Sequence, residues 1–171
     1  TTLEGVSQLQ PVFRESGTVT AGNSCPMSDG AAALVVMSDA RAKELGITPL
    51  ARIVSTAVTG LSPEIMGMGP VSAIPAALRA AGLTMSDIDL LEINEAFAVQ
   101  ALGSAQALGI DMDRLNVNGG AIALGHPFGM TGARITSTLI NALVQRDGRF
   151  GVESMCIGGG MGMAMVIERL N

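Results

Sequence analysis

The stretch that decides the fold is DLLEINEAFAVQALGSAQALG, residues 89–109. Its first five residues form a short, mainly apolar run typical of a buried strand, and residues 95–109 are rich in helix-forming residues and end at a glycine. Asn94 stands between the two segments. Because ligands of open α/β sheets bind at the carboxyl ends of strands, this amide is a candidate binding group; the ordinary alternative is that Asn94 caps the helix.

The alternation of strand and helix continues on both sides of this stretch. Apolar and β-branched runs predict strands at 29–39, 50–60, 151–157 and 161–169. Helical spacing and glycine stops predict helices at 40–46, 71–82 and 131–148. Pro75 fits the second of these helices only if it lies in the first turn. Together these elements predict an α/β fold with a mixed sheet and helices on both faces.

Composition excludes several classes of function. The chain has 171 residues, of which 48% are hydrophobic, a net charge of −5, and no tryptophan or tyrosine. Nucleic-acid binding usually needs clustered basic charge with aromatic side chains, so we expect no nucleic-acid partner. The longest aliphatic run, residues 31–37, is far shorter than the roughly 18 residues that a membrane-spanning helix needs. No spacing of cysteine and histidine suggests a metal site.

Three side chains are candidates for chemistry, namely Asn94, His126 and Cys156. His126 is the only histidine and lies in the glycine-rich stretch 117–132, where backbone freedom leaves room for a ligand. Cys156 ends an apolar strand and precedes IGGGMG, whose backbone N–H groups could face an oxyanion. Each residue alone has an ordinary structural interpretation. An amide, an imidazole and a thiol together suit acyl transfer.

Three motifs carry a resemblance to a known family. They are NEAFA at 94–98, NVNGGAIALGHPFGMTG at 116–132 and CIGGGMG at 156–162, and the upstream stretch GTVTAGNSCPMSDGAAALVVMS at 17–38 agrees with them. In order and spacing they resemble the thiolases, that is, the acetyl-CoA acetyltransferases and 3-ketoacyl-CoA thiolases. The resemblance runs over essentially the whole chain. It implies a thiolase-like layered fold, the C-terminal half of an α-β-α-β-α architecture.

The resemblance also implies a reaction and a role for each candidate residue. Thiolases catalyse reversible thiolysis or Claisen condensation of acyl-CoA thioesters through an acyl-cysteine, with coenzyme A as a substrate and no separate cofactor. By motif position, Cys156 is the acid/base thiol. His126, and Asn94 through a water, stabilise the thioester oxygen, and His126 also helps to activate the nucleophilic cysteine. The N–H of Gly158 contributes to a second oxyanion hole.

Seven further positions match residues that contact the substrate in thiolases: Leu9, Phe13, Ala21, Cys25, Met66, Ala96 and Phe97. The chain departs from the family pattern at Cys25 and Pro26, where serine and glycine are common. A thiol is a weaker hydrogen-bond partner than a hydroxyl, which weakens the expected contact of Cys25 with coenzyme A. Thr131 replaces the commoner serine and keeps a hydroxyl that is expected to cap the next helix.

The resemblance predicts a chain that works with another half. Residues 1–50 resemble the tail of the N-terminal thiolase half, and residues 51–171 resemble the C-terminal domain. The nucleophilic cysteine of thiolases belongs to the N-terminal half, so we expect a fragment or subunit that is inactive alone. Expected partners are acyl-CoA or CoA, the N-terminal half and, in the complete enzyme, further copies in a dimer or tetramer, with no nucleic acid or membrane. For a bacterial source we expect the cytoplasm.

Two alternatives belong to other classes of function. One is a non-catalytic thiolase-like module that binds acyl-CoA or a partner subunit, which the altered SCP at 24–26 would fit. The intact motifs around Asn94, His126 and Cys156 favour the enzyme. The other is a dinucleotide-binding domain, which fails because Met163 stands where the last glycine of that motif is required.

Overall fold

The computed structural model describes residues 1–170, which form one four-stranded sheet with helices on both faces. In chain order the elements are α1 (Leu3–Ser7), α2 (Asp39–Leu45), β1 (Ala51–Gly60), α3 (Gly69–Ala81), β2 (Leu90–Ile93), α4 (Ala98–Leu108), α5 (Ala121–Leu124), α6 (Phe128–Gln145), β3 (Phe150–Ile157) and β4 (Met161–Arg169). Short 3-10 turns lie at 63–68, 85–87 and 112–114. Within residues 1–170, no helix is long and apolar enough to cross a membrane.

The sheet has the strand order β1-β4-β3-β2 and mixes both strand directions. β4 pairs antiparallel with β1 and β3, whereas β2 pairs parallel with β3. The predicted α/β fold with a mixed sheet is confirmed. α3 packs on one face over a buried core that includes Ile74, Leu91 and Val166, and α6 covers β2 and β3 on the other face with Leu139 and Leu143. Burial of these apolar side chains is the main force that holds the layers together.

The start of α3 differs from the expectation about proline. The helix begins at Gly69, with Pro70 in its first turn, so Pro75 lies in the second turn. Pro75 has no N–H to donate to the carbonyl of Val71, which removes one helical hydrogen bond. The helix continues because its apolar face, which includes the fully buried Ile74, packs against β1 and β4.

The predicted strand at 29–39 is wrong. Residues 29–38 have no regular secondary structure, and Leu34, Val35 and Val36 are 40%, 86% and 70% exposed. The apolar and β-branched composition favours a strand locally, but a strand also needs the backbone of a neighbouring strand beside it. In residues 1–170 this stretch instead lies across a cavity from the sheet face.

This cavity lies beside α6 and has a volume of about 1090 Å³. Its walls include residues 33–39 on one side, and Ile53, Met163 and Met165 of the sheet with Ile140 of α6 on the other. Ile53 and Met163 are 49% and 37% exposed. The part of this sheet face around Ile53 and Met163 is therefore apolar and left uncovered by α6.

Gly162 allows β4 to touch the start of α3. A Cβ at this position would overlap the backbone of Gly69. We expect Gly162→Ala to lower the free energy of unfolding by about 1–3 kcal/mol, because backbone must move to make room. Urea denaturation measures the loss. Gly60→Ala is the matched control, since no described atom lies within 4 Å of a Cβ there, and equal stability of the two variants would contradict this packing.

Candidate active site

Asn94 and Cys156 lie at the same end of the sheet. Asn94 directly follows β2, and its backbone N–H donates to the carbonyl of Ser154 in β3 at 2.9 Å. β2 and β3 are parallel, so their carboxyl ends meet, and Cys156 follows Ser154 closely on β3. The sheet therefore brings the predicted amide and the predicted thiol to one place.

The side chain of Asn94 is not the helix cap that its ordinary interpretation expects. α4 begins only at Ala98, with Phe97 as its N-cap residue. Asn94 is 1% exposed, and neither its Nδ2 nor its Oδ1 has a hydrogen-bond partner among residues 1–170. An unpaired buried polar group costs roughly 1–3 kcal/mol. Such a group in a native fold calls for a partner, and at this position a ligand or a water molecule can supply it.

His126 lies on the loop between α5 and α6. Gly125, just before it, has a φ of 95°, a backbone conformation that glycine adopts without strain. The imidazole Nδ1 lies 2.6 Å from the Thr131 hydroxyl oxygen, and the ring contacts Phe128 with 5.1 Å between centroids. Burial lowers the pKa of His126, and the charge of nearby Arg134 lowers it further. The neutral imidazole is therefore favoured at neutral pH.

Thr131 does not cap α6, and that expectation is wrong. α6 begins at Phe128 with Pro127 as its N-cap residue, so Thr131 lies inside the first turn. Pro127 has an extended backbone with a φ of −63° and a ψ of 116°, and its missing N–H removes no helical hydrogen bond at this position. The hydroxyl of Thr131 is buried and lies between the imidazole of His126 and the carbonyl of Pro127.

Glu95 holds the loop that carries His126. Its Oε1 accepts from Asn116 Nδ2 at 2.9 Å, and its Oε2 accepts from the N–H of Ile122 at 3.2 Å. A Cβ at Gly120 would overlap this carboxylate, so the loop needs glycine there to approach it. The second residue of NEAFA therefore ties that motif to the glycine-rich motif.

Cys156 is a buried thiol beside a second cysteine. It is 7% exposed, and burial raises its pKa, with a smaller rise from neighbouring Cys25. The half-buried Cys25 donates its N–H to the Ala96 carbonyl at 3.0 Å, and neither cysteine is in a disulfide within the described chain. A raised pKa keeps the Cys156 thiol protonated at neutral pH, as a proton donor requires. Gly158 follows β3 with a left-handed φ of 60°.

Four of the predicted substrate-contact positions meet beside the NEAFA motif. Ser24 and Phe97 form an isolated β-bridge, which places Cys25 next to Ala96. The rings of Phe13 and Phe97 meet edge to face, with 6.2 Å between their centroids. The stretch 17–38 and the start of α4 thus share one surface at this end of the molecule.

The remaining predicted contact positions lie close to this surface or on a turn packed against α4. Leu9 contacts Gly22, the neighbour of the exposed Ala21. Met66 is half-buried in the 3-10 turn at 63–68, which packs against α4. Leu9 and Phe13 are 41% and 71% exposed, so the surface that these side chains form is apolar and accessible.

A buried charge cluster lies behind the site. Glu92 and Glu153 are 1% and 6% exposed, and Glu92 Oε2 lies 3.8 Å from Nη1 of Arg134 on α6. The Arg134 guanidinium nitrogens find no hydrogen-bond partner in the described part of the chain. Burial raises the pKa of both carboxyls to about 7, against the opposing charge of Arg134. The Thr136 hydroxyl lies 2.8 Å from Glu153 Oε2.

The raised pKa of Glu153 makes stability depend on pH. The carboxyl has a pKa of about 7 in the fold against an ordinary 4.5, so across this window the folded state keeps a proton that the unfolded state releases. The free energy of unfolding must therefore fall as pH rises from about 4.5 to 7. We expect Glu153→Gln to remove on the order of 2 kcal/mol of this fall, measured by urea denaturation at both ends of the window. The exposed Glu15→Gln is the matched control, and an unchanged slope in the Glu153 variant would contradict the prediction.

The sequence motifs did not identify Glu95 or Arg134 as residues of this region, and they assigned Thr131 a helix cap instead of its contact with His126. Glu95 carries a visible signal, because a charged residue directly follows Asn94 in the motif. Thr131 comes five residues after His126, a spacing from which a hydroxyl can reach back across the first helical turn. Arg134 gives no such signal, since its charged partners Glu92, Glu95 and Glu153 lie far from it along the chain.

Comparison with known proteins agrees with the geometry. The family model described as "Thiolase, C-terminal domain" matches residues 47–169, and the one described as "Thiolase, N-terminal domain" matches residues 1–40. The chain is 56% identical over 170 residues to an acetyl-CoA acetyltransferase of Escherichia coli K12, covering 99% of this chain and 43% of that protein. It is 59% identical over 175 residues to a 3-ketoacyl-CoA thiolase of Cronobacter sakazakii, covering 99% and 45%.

Solved structures show the same similarity. The acetyl-CoA acetyltransferase of Bacillus anthracis superposes with a TM-score of 0.96 at 50% identity, covering 99% of this chain and 43% of that chain. Human mitochondrial 3-ketoacyl-CoA thiolase in complex with CoA gives a TM-score of 0.93 at 50% identity, covering 100% and 43%. The chain thus spans less than half the length of the relatives that it matches.

Proposed function

The chain belongs to the thiolase family, and on that premise we propose that it is the C-terminal catalytic portion of an enzyme that performs reversible thiolysis of 3-ketoacyl-CoA and Claisen condensation of acetyl-CoA. One observation carries the proposal. Asn94 holds a buried amide without a partner among residues 1–170, at the end of the sheet where Cys156 lies. An amide that can orient a water or donate to a carbonyl oxygen and a thiol that can carry a proton are groups that acyl transfer needs.

In the proposed mechanism Cys156 moves the proton. During thiolysis the thiolate of a nucleophilic cysteine attacks the 3-keto carbon, the bond between C2 and C3 breaks, and the departing acetyl-CoA carbanion takes the proton of Cys156. The Cys156 thiolate then takes the proton of an incoming CoA thiol, whose sulfur attacks the acyl-cysteine and releases the shortened acyl-CoA. Condensation runs the same steps backwards. The buried, protonated thiol is in the right state for the first transfer.

We assign stabilisation of the oxyanions to the other predicted residues. Negative charge develops on the thioester oxygen of acetyl-CoA when its α-carbon carries the carbanion. We assign donation to that oxygen to His126 and, through a water, to Asn94, and donation to the acyl-cysteine oxygen to the N–H of Gly158. A single donor of this kind typically lowers the barrier by about 2.7–4 kcal/mol.

The nucleophilic cysteine is proposed to come from a thiolase segment outside these 171 residues. The uncovered sheet face beside α6 supports this, because the cavity of about 1090 Å³ has room for about two turns of a helix between apolar walls. The greater length of the relatives agrees with it. Without that segment we expect the chain to show no thiolase turnover.

The boundary between the N-terminal part, residues 1–50, and the C-terminal domain, residues 51–171, stays a prediction.

Coenzyme A and acyl-CoA are the proposed small-molecule partners, because a similar human enzyme of known structure is in complex with CoA. The accessible apolar surface around Leu9, Phe13 and Phe97 offers a place for the pantetheine and acyl chain. Assembly of the complete enzyme into a dimer or tetramer stays a prediction.

Reconstitution tests the proposal. The chain is combined with the N-terminal thiolase half, or the full-length gene product is used, and cleavage of acetoacetyl-CoA by CoA is followed. We expect turnover in the combination and none with either half alone. Binding of CoA without turnover in the complete protein would favour the non-catalytic module and overturn the enzyme.

A further inference from the structure

The hydrogen bond between His126 and Thr131 decides which nitrogen of the imidazole carries hydrogen. Thr131 is fully buried, and its hydroxyl oxygen lies 2.6 Å from His126 Nδ1 and 3.0 Å from the Pro127 carbonyl oxygen. A hydroxyl has a single hydrogen to donate. It can go to the imidazole or to the carbonyl, and the two choices give opposite tautomers of a neutral histidine.

The Pro127 carbonyl oxygen already accepts two backbone hydrogen bonds. It accepts from the N–H of Met130 at 2.9 Å and from the N–H of Thr131 at 3.0 Å, the first bonds of α6. A carbonyl oxygen has two lone pairs, so the Thr131 hydroxyl competes with these two N–H groups for the same acceptor. The contact with the imidazole is also the shorter of the two. Both the competition at the carbonyl and the shorter contact favour donation of the Thr131 hydrogen to His126 Nδ1.

We infer that Thr131 is a positioning residue that donates to Nδ1 of His126 and so fixes the neutral imidazole with its hydrogen on Nε2. The inference rests on the proposed function for its consequence. With hydrogen on Nε2, the imidazole is a ready hydrogen-bond donor to a thioester oxygen.

The lone histidine makes the tautomer directly measurable. The 171-residue chain is labelled with 15N-histidine, and its imidazole nitrogens are recorded at about pH 8, where histidine is neutral. We expect a hydrogen-bearing Nε2 and a bare Nδ1 in the wild type and in Thr131→Ser. In Thr131→Val, which removes the hydroxyl and keeps the shape, we expect a mixture of both tautomers.

Two results would overturn the inference. One is a wild-type spectrum with hydrogen on Nδ1, which needs no variant to fold. The other is a Thr131→Val spectrum that stays identical to that of the wild type while Thr131→Ser confirms that the site is intact.

Kinetics of the reconstituted enzyme give a second, separable test. We expect Thr131→Val to lower kcat by about tenfold, a part of the 10²- to 10³-fold effect of a whole oxyanion donor, with the KM of the thioester little changed. Thr131→Ser should restore the rate. An absence of turnover in the wild type would defeat the proposed function, whereas the spectrum of the labelled chain would still decide the role of Thr131. Wild-type kinetics in Thr131→Val would contradict the positioning role.

Discussion

Cys156→Ala is expected to lower thiolysis by the reconstituted enzyme by about 10³-fold or more. Two proton transfers pass through this thiol in each cycle, and general acid–base catalysis by a positioned side chain typically contributes 10²- to 10⁴-fold. Burial keeps the thiol protonated for the first of them. The initial rate of acetoacetyl-CoA cleavage at saturating CoA measures the loss.

The second cysteine provides the matched control. Cys25 is half-buried beside the NEAFA motif and is assigned to substrate contact, not to proton transfer. Cys25→Ser is expected to change the KM for CoA more than kcat, because a hydroxyl donates and accepts hydrogen bonds better than a thiol. Retention of more than about a tenth of the activity in Cys156→Ala would show that another group moves the proton.

His126→Ala is expected to lower kcat by about 10²- to 10³-fold, the usual effect of removing one oxyanion donor. Asn94→Ala should lower kcat by a similar factor, because both side chains act on the same thioester oxygen. The double variant should lose less than the product of the two single losses, since groups that act as a unit are not additive. The kcat values of the wild type, the two single variants and the double variant measure this coupling.

The control for these variants is an amide that lies away from the site. Asn141 is exposed on α6, and its Nδ2 donates to the carbonyl of Ser137 one turn earlier. Asn141→Ala is expected to leave kcat unchanged. Losses from His126→Ala and Asn94→Ala that multiply in full would mean that the two residues act on different steps.

Elements that carry their own local signal were predictable from the sequence. α2 and α3 end at Gly46 and Gly82, whose φ values of 65° and 69° suit glycine at a helix end. β3 and β4 follow from apolar runs joined by three glycines. The strand predicted at 29–39 was wrong because an apolar run forms a strand only where another strand lies beside it.

The candidate site divides in the same way. The positions of Asn94, His126 and Cys156 follow from strand ends and motifs. Their neighbours depend on contacts between distant parts of the chain, such as Glu95 with Ile122 and Arg134 with Glu92. No local pattern contains such a contact.

Identifying which polypeptide carries the acyl group shows whether the nucleophile lies outside this chain while Cys156 acts on protons. The chain and the N-terminal thiolase half are mixed with acetyl-CoA, and the intact mass of each polypeptide is recorded. We expect one acetyl group on the N-terminal half, formed only when this chain is present and still formed with Cys156→Ala. An acetyl group on Cys156 or Cys25 would contradict it.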